Sequence, residues 1–365
     1  MTERIPKNFS PERIRLANIF PSGRASSFFF QGLFDGHPQC VTVPTMFYIT
    51  DEEMKGGAVK ICRTIYKRLN NIFFEPIPKR ITYDAFRKPF LEYIKKYGLS
   101  KKTVFIALHY AFSRTQKQDV SKIRYIVFQG HLVSACINIF KDFPEQKVIH
   151  LVRDPRASYL SKKKSNPYVN LLFFSRLVLY GYRYFRLVDK NSLVVRHEDL
   201  HKKFSLTKKK IFTSLELKPS KKFDYSSYYG TPYTGNVARW ASTTGLHLAR
   251  SDSRYAHDKW KKELSNTEIK IINVLAKKYL VAYKYTQKKI NSQAKAELSI
   301  KKQFNIFAQE SQGIAKKTFT ILSHITKIPV LGPLIGLLVL LTWLTLNTIK
   351  DELLFYVDAW KLREY

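Results

Sequence analysis

The stretch Lys147–Ser161, KVIHLVRDPRASYLS, decides the reading of the fold. Val148 to Val152 is a nearly continuous apolar run with His150 as its one polar member, the pattern of a strand buried on both faces in a parallel sheet. Arg153 follows, then Asp154, a favoured helix N-cap, and Pro155, favoured at the first helical position because its missing N–H has no partner there anyway. The strand therefore ends in a tight turn and a helix begins. Open α/β sheets bind ligands outside the carboxyl ends of their strands, so Arg153 stands at the expected edge, and Ser161, about two turns into the helix, presents a hydroxyl on the same side. A cation and a hydroxyl at such a joint make a phosphate site. The plainer alternative is a helix capped by Asp-Pro with Arg153 as a solvated surface charge.

Upstream, Leu16 to Phe20 is a second short apolar run, followed by PSGRASS (21–27) and FFFQGLF (28–34): strand, small-residue loop, helix. That order suits a phosphate cradle, with backbone N–H groups at the helix start, hydroxyls from Ser26 and Ser27 and a cation from Arg24. No G-x-x-x-x-G-K-[ST] is present, so a Walker-type ATPase is not supported. The class read from these patterns is α/β, a central and mainly parallel sheet flanked by helices.

A chain of 365 residues accommodates one large α/β domain plus an appendage. Its 63 Lys+Arg against 28 Asp+Glu leave a formal charge of +35, which implies an anionic partner: nucleic acid, an anionic membrane surface or an anionic substrate. Much of the excess lies after Lys259, in runs such as Lys277-Lys278, Lys288-Lys289 and Lys301-Lys302, so it is partly a property of the tail. Cys40, Cys62 and Cys136 lack metal-ligand spacing and suggest neither a disulfide framework nor a zinc ribbon. A reducing compartment fits, and the N-terminal MTERIPKNFSPERIR has no apolar core of signal-peptide length, so the catalytic part is expected in the cytosol.

Asp51–Asn70 and Thr82–Tyr97 carry apolar residues at helical spacing, Thr82 serving as a cap. Thr103–Leu108 reads as a second strand and Tyr125–Phe128 as a third, the latter leading to His131 just past its end. Imidazole titrates near neutrality, so His131 is a candidate base, with a packing or capping histidine as the alternative and His109, past the preceding strand, as runner-up. Ser192–Arg196 is a further strand. His197, Glu198 and His201 spell H-E-x-x-H, but the β-branched run before His197 places it at a strand end rather than on a long zinc-site helix, so a zinc hydrolase is a minor alternative. Lys218–Tyr255 reads as a long loop with Arg239, Arg250 and Arg254 as candidate anion contacts; Trp260 is a core residue, and Ser265 with Glu268 forms a capping box.

RDPRASYLS resembles the 3′-phosphate-binding segment of sulfotransferases that use 3′-phosphoadenosine 5′-phosphosulfate, with Arg153 and Ser161 at the two phosphate-holding positions. Arg24 through Asp35, His37 and Pro38 resembles that family's 5′-phosphosulfate loop, R-S-G-[ST]-T-L-L…L-L-D-x-H-P. The departures are Ala25 for the serine, Ser26 for the glycine and Phe28 for a threonine. Gln129-Gly130-His131 resembles the Lys-Thr-His segment, and RHEDL resembles R-Y-E-D-L with His197 for the tyrosine.

The resemblance covers roughly Leu16 to Tyr285 and implies a nucleotide-kinase-like fold over 1–285. It implies Arg24, Ala25, Ser26, Ser27, Phe28, Arg153 and Ser161 at the donor, Arg24 and His131 in catalysis, and no metal. The expected reaction moves a sulfuryl group to an acceptor hydroxyl on a glycan, lipid or small alcohol, an anionic or membrane-borne acceptor suiting the basic surface; no nucleic-acid partner is expected. The rival from another class is a non-enzymatic basic protein held on anionic membrane or nucleic acid.

After a basic linker, 286–327, the segment Ile328–Ile349 is uncharged and matches the ~20 apolar residues that cross a bilayer core. It is expected to be membrane-associated, spanning or lying in the interface, with the lysine-rich side cytoplasmic and 350–365 a short tail. A buried helix of a homo-oligomer is the alternative.

Overall fold

The computed structural model describes residues 5–6, 9–43, 48–70, 81–130, 139–165, 171, 192–233 and 249–286. Along the chain these include β1 (Arg15–Pro21), α1 (Ser27–Gly32), β2 (Cys40–Thr42), α2 (Gly57–Asn70), α3 (Tyr83–Tyr97), α4 (Lys101–Thr115), β3 (Tyr125–Gln129) and β4 (Lys147–Val152). Then come α5 (Pro155–Ser165), β5 (Ser192–Arg196), α6 (His197–Lys202), α7 (Phe204–Ser214), β6 (Ser227–Tyr228), β7 (Thr231–Pro232), α8 (Trp260–Glu263), α9 (Asn266–Leu275) and α10 (Lys277–Ala282). They fall into two compact units, Met1–Arg153 with Val188–Asp258, and Asp154–Leu187 with Lys259–Glu364.

The first unit holds a five-stranded sheet in the order β2-β3-β1-β4-β5, every neighbouring pair parallel. Leu16–Phe20, Tyr125–Gln129 and Val148–Val152 are buried throughout, as expected of strands covered on both faces. The polar side chain of Asn18 at the centre of β1 is accommodated by donating from Nδ2 to Gln146 Oε1 at 3.0 Å. From β1 the chain builds β2 and β3 on one side, then crosses to build β4 and β5 on the other. The strand order therefore reverses between β1 and β4, and the crevice outside their carboxyl ends is where such sheets take ligands.

The expected strand at Thr103–Leu108 is instead the first half of α4. Ser100 and Thr103 close a capping box, Ser100 Oγ accepting from the Thr103 N–H at 3.1 Å and Thr103 Oγ1 from the Ser100 N–H at 2.8 Å. Val104 through Ser113 are all buried, and a helix covered on every side carries no 3.6-residue period to distinguish it from a buried strand. The three-residue β2 is too short to show a period in the sequence. The helix expected from Asp51 starts only at Gly57, after a run of turns, whereas Thr82 caps α3 as expected, accepting from the Ala85 N–H at 3.3 Å.

Within the stretch expected as a loop, β6 and β7 pair as a small antiparallel hairpin fastened to α1. Ser226 Oγ donates to Phe29 O (2.9 Å), Tyr228 Oη to Phe28 O (2.7 Å), and Asp35 Oδ2 accepts from Ser227 Oγ (2.7 Å) and the Gly230 N–H (2.8 Å). The approach requires glycine at 32, where a Cβ would stand 2.4 Å from Ser226 Oγ and 2.9 Å from Ser227 O.

In the second unit Asp154 does cap α5, accepting from the Arg156 N–H at 2.9 Å. The Arg156 guanidinium forks onto both Asp154 oxygens, stacks 4.0 Å from the Trp260 ring and donates to Tyr285 O at 3.0 Å. Lys163 and Lys164 pair with Glu268 and Glu263. Ser265 and Glu268 form the expected capping box, and Trp260 is buried. The segment 328–349 lies outside the described residues, among which no helix is long and apolar enough to cross a membrane.

Candidate active site

The loop leaving β1 follows the sheet for one more bond, the Ser22 N–H donating to Leu151 O at 2.9 Å, and then turns sharply. Gly23, Arg24 and Ser26 all have positive φ (85°, 51° and 60°), so three of the four residues from 23 to 26 occupy the part of the map that disfavours side chains. Ser26 is the position at which the resembling pattern has glycine. Its φ of 60° and ψ of 37° are a conformation glycine adopts freely and that costs an L-residue about 1–2 kcal/mol. Ala25 is fully buried beneath the loop, and Phe28 is buried with its carbonyl held by Tyr228. Ser27 Oγ accepts from Gln129 Nε2 at 2.9 Å, which leaves the serine's own proton for donation.

Arg153, at the end of β4, joins this loop. Its N–H donates to Ser22 Oγ at 3.3 Å and its Nη1 to Arg24 O at 2.8 Å, so two cationic residues meet where the strand order reverses. The half-buried Arg24 guanidinium has its pKa lowered by desolvation, against which the neighbouring Tyr233 phenol acts. Ser161 sits half-buried in α5, in the second unit.

His131 lies outside the described residues. His109 is not past a strand end but in the middle of α4, 1% exposed, with Nδ1 bonded to Phe105 O at 2.8 Å. Burial pushes its pKa down to about 4, so it is a neutral ring set into the helix packing. Asp35 and His37 serve packing in this structure: Asp35 holds the hairpin, and His37 accepts the Gln39 N–H on Nδ1 (3.2 Å) while Nε2 donates to Lys218 O (3.1 Å).

His197, Glu198 and His201 lie on the six-residue α6. His197 Nε2 bonds Tyr255 O at 3.1 Å, His201 Nδ1 accepts the Asp252 N–H at 3.3 Å, and the His201 ring stacks on Phe29 at 5.1 Å. Both imidazoles are held neutral, by burial first and then by the charge of Arg153, His201 being lowered to about 4. Among the described residues no three His, Cys, Asp or Glu side chains are grouped to hold a metal ion. Arg254 is exposed and paired with Asp252, Arg250 lies over the Tyr225 ring, and Arg239 lies outside the described residues. Cys40 and Cys62 are buried free thiols whose pKa values burial raises, Cys62 to about 12.

Three residues here have roles that carried no signal in the sequence: Ser22, which latches Arg153; Gln129, which orients Ser27; and Tyr233, beside Arg24. Each acts through a tertiary neighbour more than 100 positions away.

No protein-family model and no curated protein sequence matches the chain. Similar solved structures include the sulfotransferase domain of the Synechococcus PCC 7002 olefin synthase, 16% identical over 76% of this chain and 96% of that one, with a TM-score of 0.41. The sulfotransferase domain of the curacin biosynthetic pathway is 14% identical over 72% and 98%, also at 0.41. A Mycobacterium avium sulfotransferase is 10% identical over 73% and 76%, at 0.33. At these values the functional argument rests on the residues of this chain.

The neutral histidines set a pH dependence. His109 and His201 have folded pKa values near 4, His150 near 3, and His197 is lowered too, all through burial, against an unfolded value near 6.5. Between about pH 6.5 and 4 the unfolded chain binds more protons than the folded one, so stability is full above the unfolded pKa and falls on acidification. Urea midpoints from pH 7.5 to 4.5 should decline steadily from pH 6.5, well before most carboxylates titrate; a midpoint flat down to pH 5 would contradict the burial assignment.

Proposed function

We propose that the chain is a sulfotransferase that moves a sulfuryl group from 3′-phosphoadenosine 5′-phosphosulfate to an acceptor hydroxyl. The observation that carries this reading is the meeting of the left-handed loop Ser22–Ser27 with Arg153 at the reversal point of the sheet, Arg153 Nη1 bonding Arg24 O at 2.8 Å. A phosphate on the ribose 3′-oxygen, in addition to the 5′ group, is what distinguishes this donor from ATP, and a basic residue at each of two adjoining strand ends answers that need.

In this reading Arg24, the hydroxyls of Ser26 and Ser27 and the loop N–H groups hold the 5′-phosphosulfate, with Ala25 and Phe28 forming the loop's buried side. Arg153 and Ser161 hold the 3′-phosphate. As the acceptor oxygen bonds to sulfur and the sulfur–oxygen bond to the nucleotide breaks, Arg24 neutralises charge on the bridging oxygen and His131 takes the acceptor's proton. Positioning and charge stabilisation carry the reaction, as in phosphoryl transfer, and no metal is invoked. The acceptor is a hydroxyl of a glycan, lipid or small alcohol, the basic surface favouring anionic or membrane-borne ones.

The discriminating measurement is thermal stability with 3′-phosphoadenosine 5′-phosphate against adenosine 5′-phosphate. At 100 times its dissociation constant the bisphosphate should add about 2.7 kcal/mol, and the monophosphate much less. Equal shifts would remove the basis for this reading. His131→Ala should lower turnover roughly 10²-fold or more with the bisphosphate shift intact; a lost shift would make the residue structural.

We also propose that 328–349 anchors the protein in the membrane with the lysine-rich side, and hence the catalytic part, facing the cytoplasm. Truncation before Lys327 should release the protein from membranes with nucleotide binding retained, and the intact chain should need detergent rather than high salt for extraction. A full-length protein that purifies as a monomer without detergent would sink the anchor.

A further inference from the structure

The corner between α6 and α7 exposes Lys202, Lys203, Ser205, Leu206, Lys209 and Thr213, and Leu206, at 69%, is the most exposed large apolar side chain of the described residues. Positions 206, 209 and 213 recur at helical spacing, so they share the outer side of α7, with Lys202 and Lys203 immediately before it. The inner side is secured: Thr207, Ile211 and Phe212 are buried, and Thr207 Oγ1 donates to Asp199 O at 3.1 Å. The outer side is thus a fixed surface rather than a frayed end.

Its charge is uncompensated. Lys202, Lys203 and Lys209 form no ion pair among the described residues. Three carboxylates of the same stretch are engaged elsewhere: Asp199 faces Arg196, Glu216 pairs with Arg124 and Arg15, and Asp224 pairs with Lys208. The contrast with α5 is informative, since there Lys163 and Lys164 are both neutralised by acidic partners.

We propose that this face, Leu206 ringed by Lys202, Lys203 and Lys209, docks the protein on an anionic lipid bilayer. The lysines meet the headgroup charge, and the leucine enters the boundary between headgroups and acyl chains, the arrangement of an interfacial amphipathic helix. A second copy of the chain is disfavoured because a two-fold contact through this face would set lysine against lysine. A nucleic acid would use the cations but has no place for an isolated aliphatic side chain where stacking aromatics are wanted. The surface is independent of both the sulfuryl-transfer reading and the membrane segment, since it rests on residues of the first unit alone.

The test places a probe at the centre of the face. Leu206→Trp in the full chain is reconstituted into vesicles with brominated acyl chains, either phosphatidylglycerol mixed with phosphatidylcholine or phosphatidylcholine alone, with the native protein as the baseline for its own tryptophans. Quenching above that baseline is expected in the anionic vesicles and severalfold less in the neutral ones. Adding Lys202→Glu, Lys203→Glu and Lys209→Glu should return it to baseline, since each lysine near such a surface is worth about fivefold in partitioning and three about 10²-fold.

No excess quenching in anionic vesicles, equal quenching in both lipids, or quenching that survives charge reversal would each overturn the proposal. Loss of quenching on adding duplex DNA would reassign the face to nucleic acid. All substituted side chains are exposed, so an unchanged thermal midpoint certifies the fold in every arm. Failure of the bisphosphate to stabilise the protein would touch only the enzymatic reading.

Discussion

The bond from Arg153 Nη1 to the carbonyl oxygen of Arg24 is the contact around which the candidate site is arranged. A guanidinium is a rigid fork, and committing one of its nitrogens to a backbone carbonyl fixes the plane of the rest. The same residue's N–H reaches Ser22, whose own N–H bonds Leu151 O, so the loop after β1 and the end of β4 are joined three times across the line where strand order reverses. Without that junction the left-handed turn at Gly23, Arg24 and Ser26 would have no reason to keep one shape, because Ser26 stands in a conformation that disfavours any residue but glycine.

The second constraint is the clamp on α1. Six residues are too few for a helix to be stable by itself, and this one begins at the strained loop. Its stability comes from the hairpin, which returns from about 200 positions along the chain to bond Phe28 and Phe29 and to place two donors on Asp35. Gly32 allows that approach by having no side chain. The hairpin also carries Tyr233 to the side of Arg24, where the phenol modulates the cation that burial has weakened. Through Asp35, the residue that makes the D-x-H-P stretch recognisable thus acts at one remove, by holding the element that covers the loop.

How much of this was legible follows from how local each signal is. The strand at Val148–Val152 and the turn through Asp154 and Pro155 were readable because a twice-buried strand is a continuous apolar run and capping chemistry is confined to adjacent residues. Position Ser26 was readable as a departure from a pattern, but its consequence was not, since φ is a property of the folded loop. The helix at Lys101–Thr115 misled for a physical reason: a helix buried all round loses its period, and Val104-Phe105-Ile106 suits a strand equally well. His109 moved with it, from a strand end to a packed interior. The roles of Gln129 and Ser22 were silent because each acts through a partner brought near by the parallel sheet.

Charge shows the same division between what composition states and what geometry decides. A formal +35 says only that an anion is wanted somewhere. In the folded chain Lys163 and Lys164 of α5 are answered by Glu268 and Glu263, and Arg156 is locked onto Asp154 against Trp260, so those cations hold structure together. Arg24 and Arg153 are drawn inward at the edge where the strand order reverses, and Lys202, Lys203 and Lys209 are left outward with no ion pair among the described residues. Burial decides what each class can do: a desolvated arginine interacts strongly with one bound anion, whereas exposed lysines attract weakly and collectively, and are screened within about 10 Å at 0.1 M salt. The first arrangement suits a small charged substrate held in one orientation, and the second an extended anionic surface.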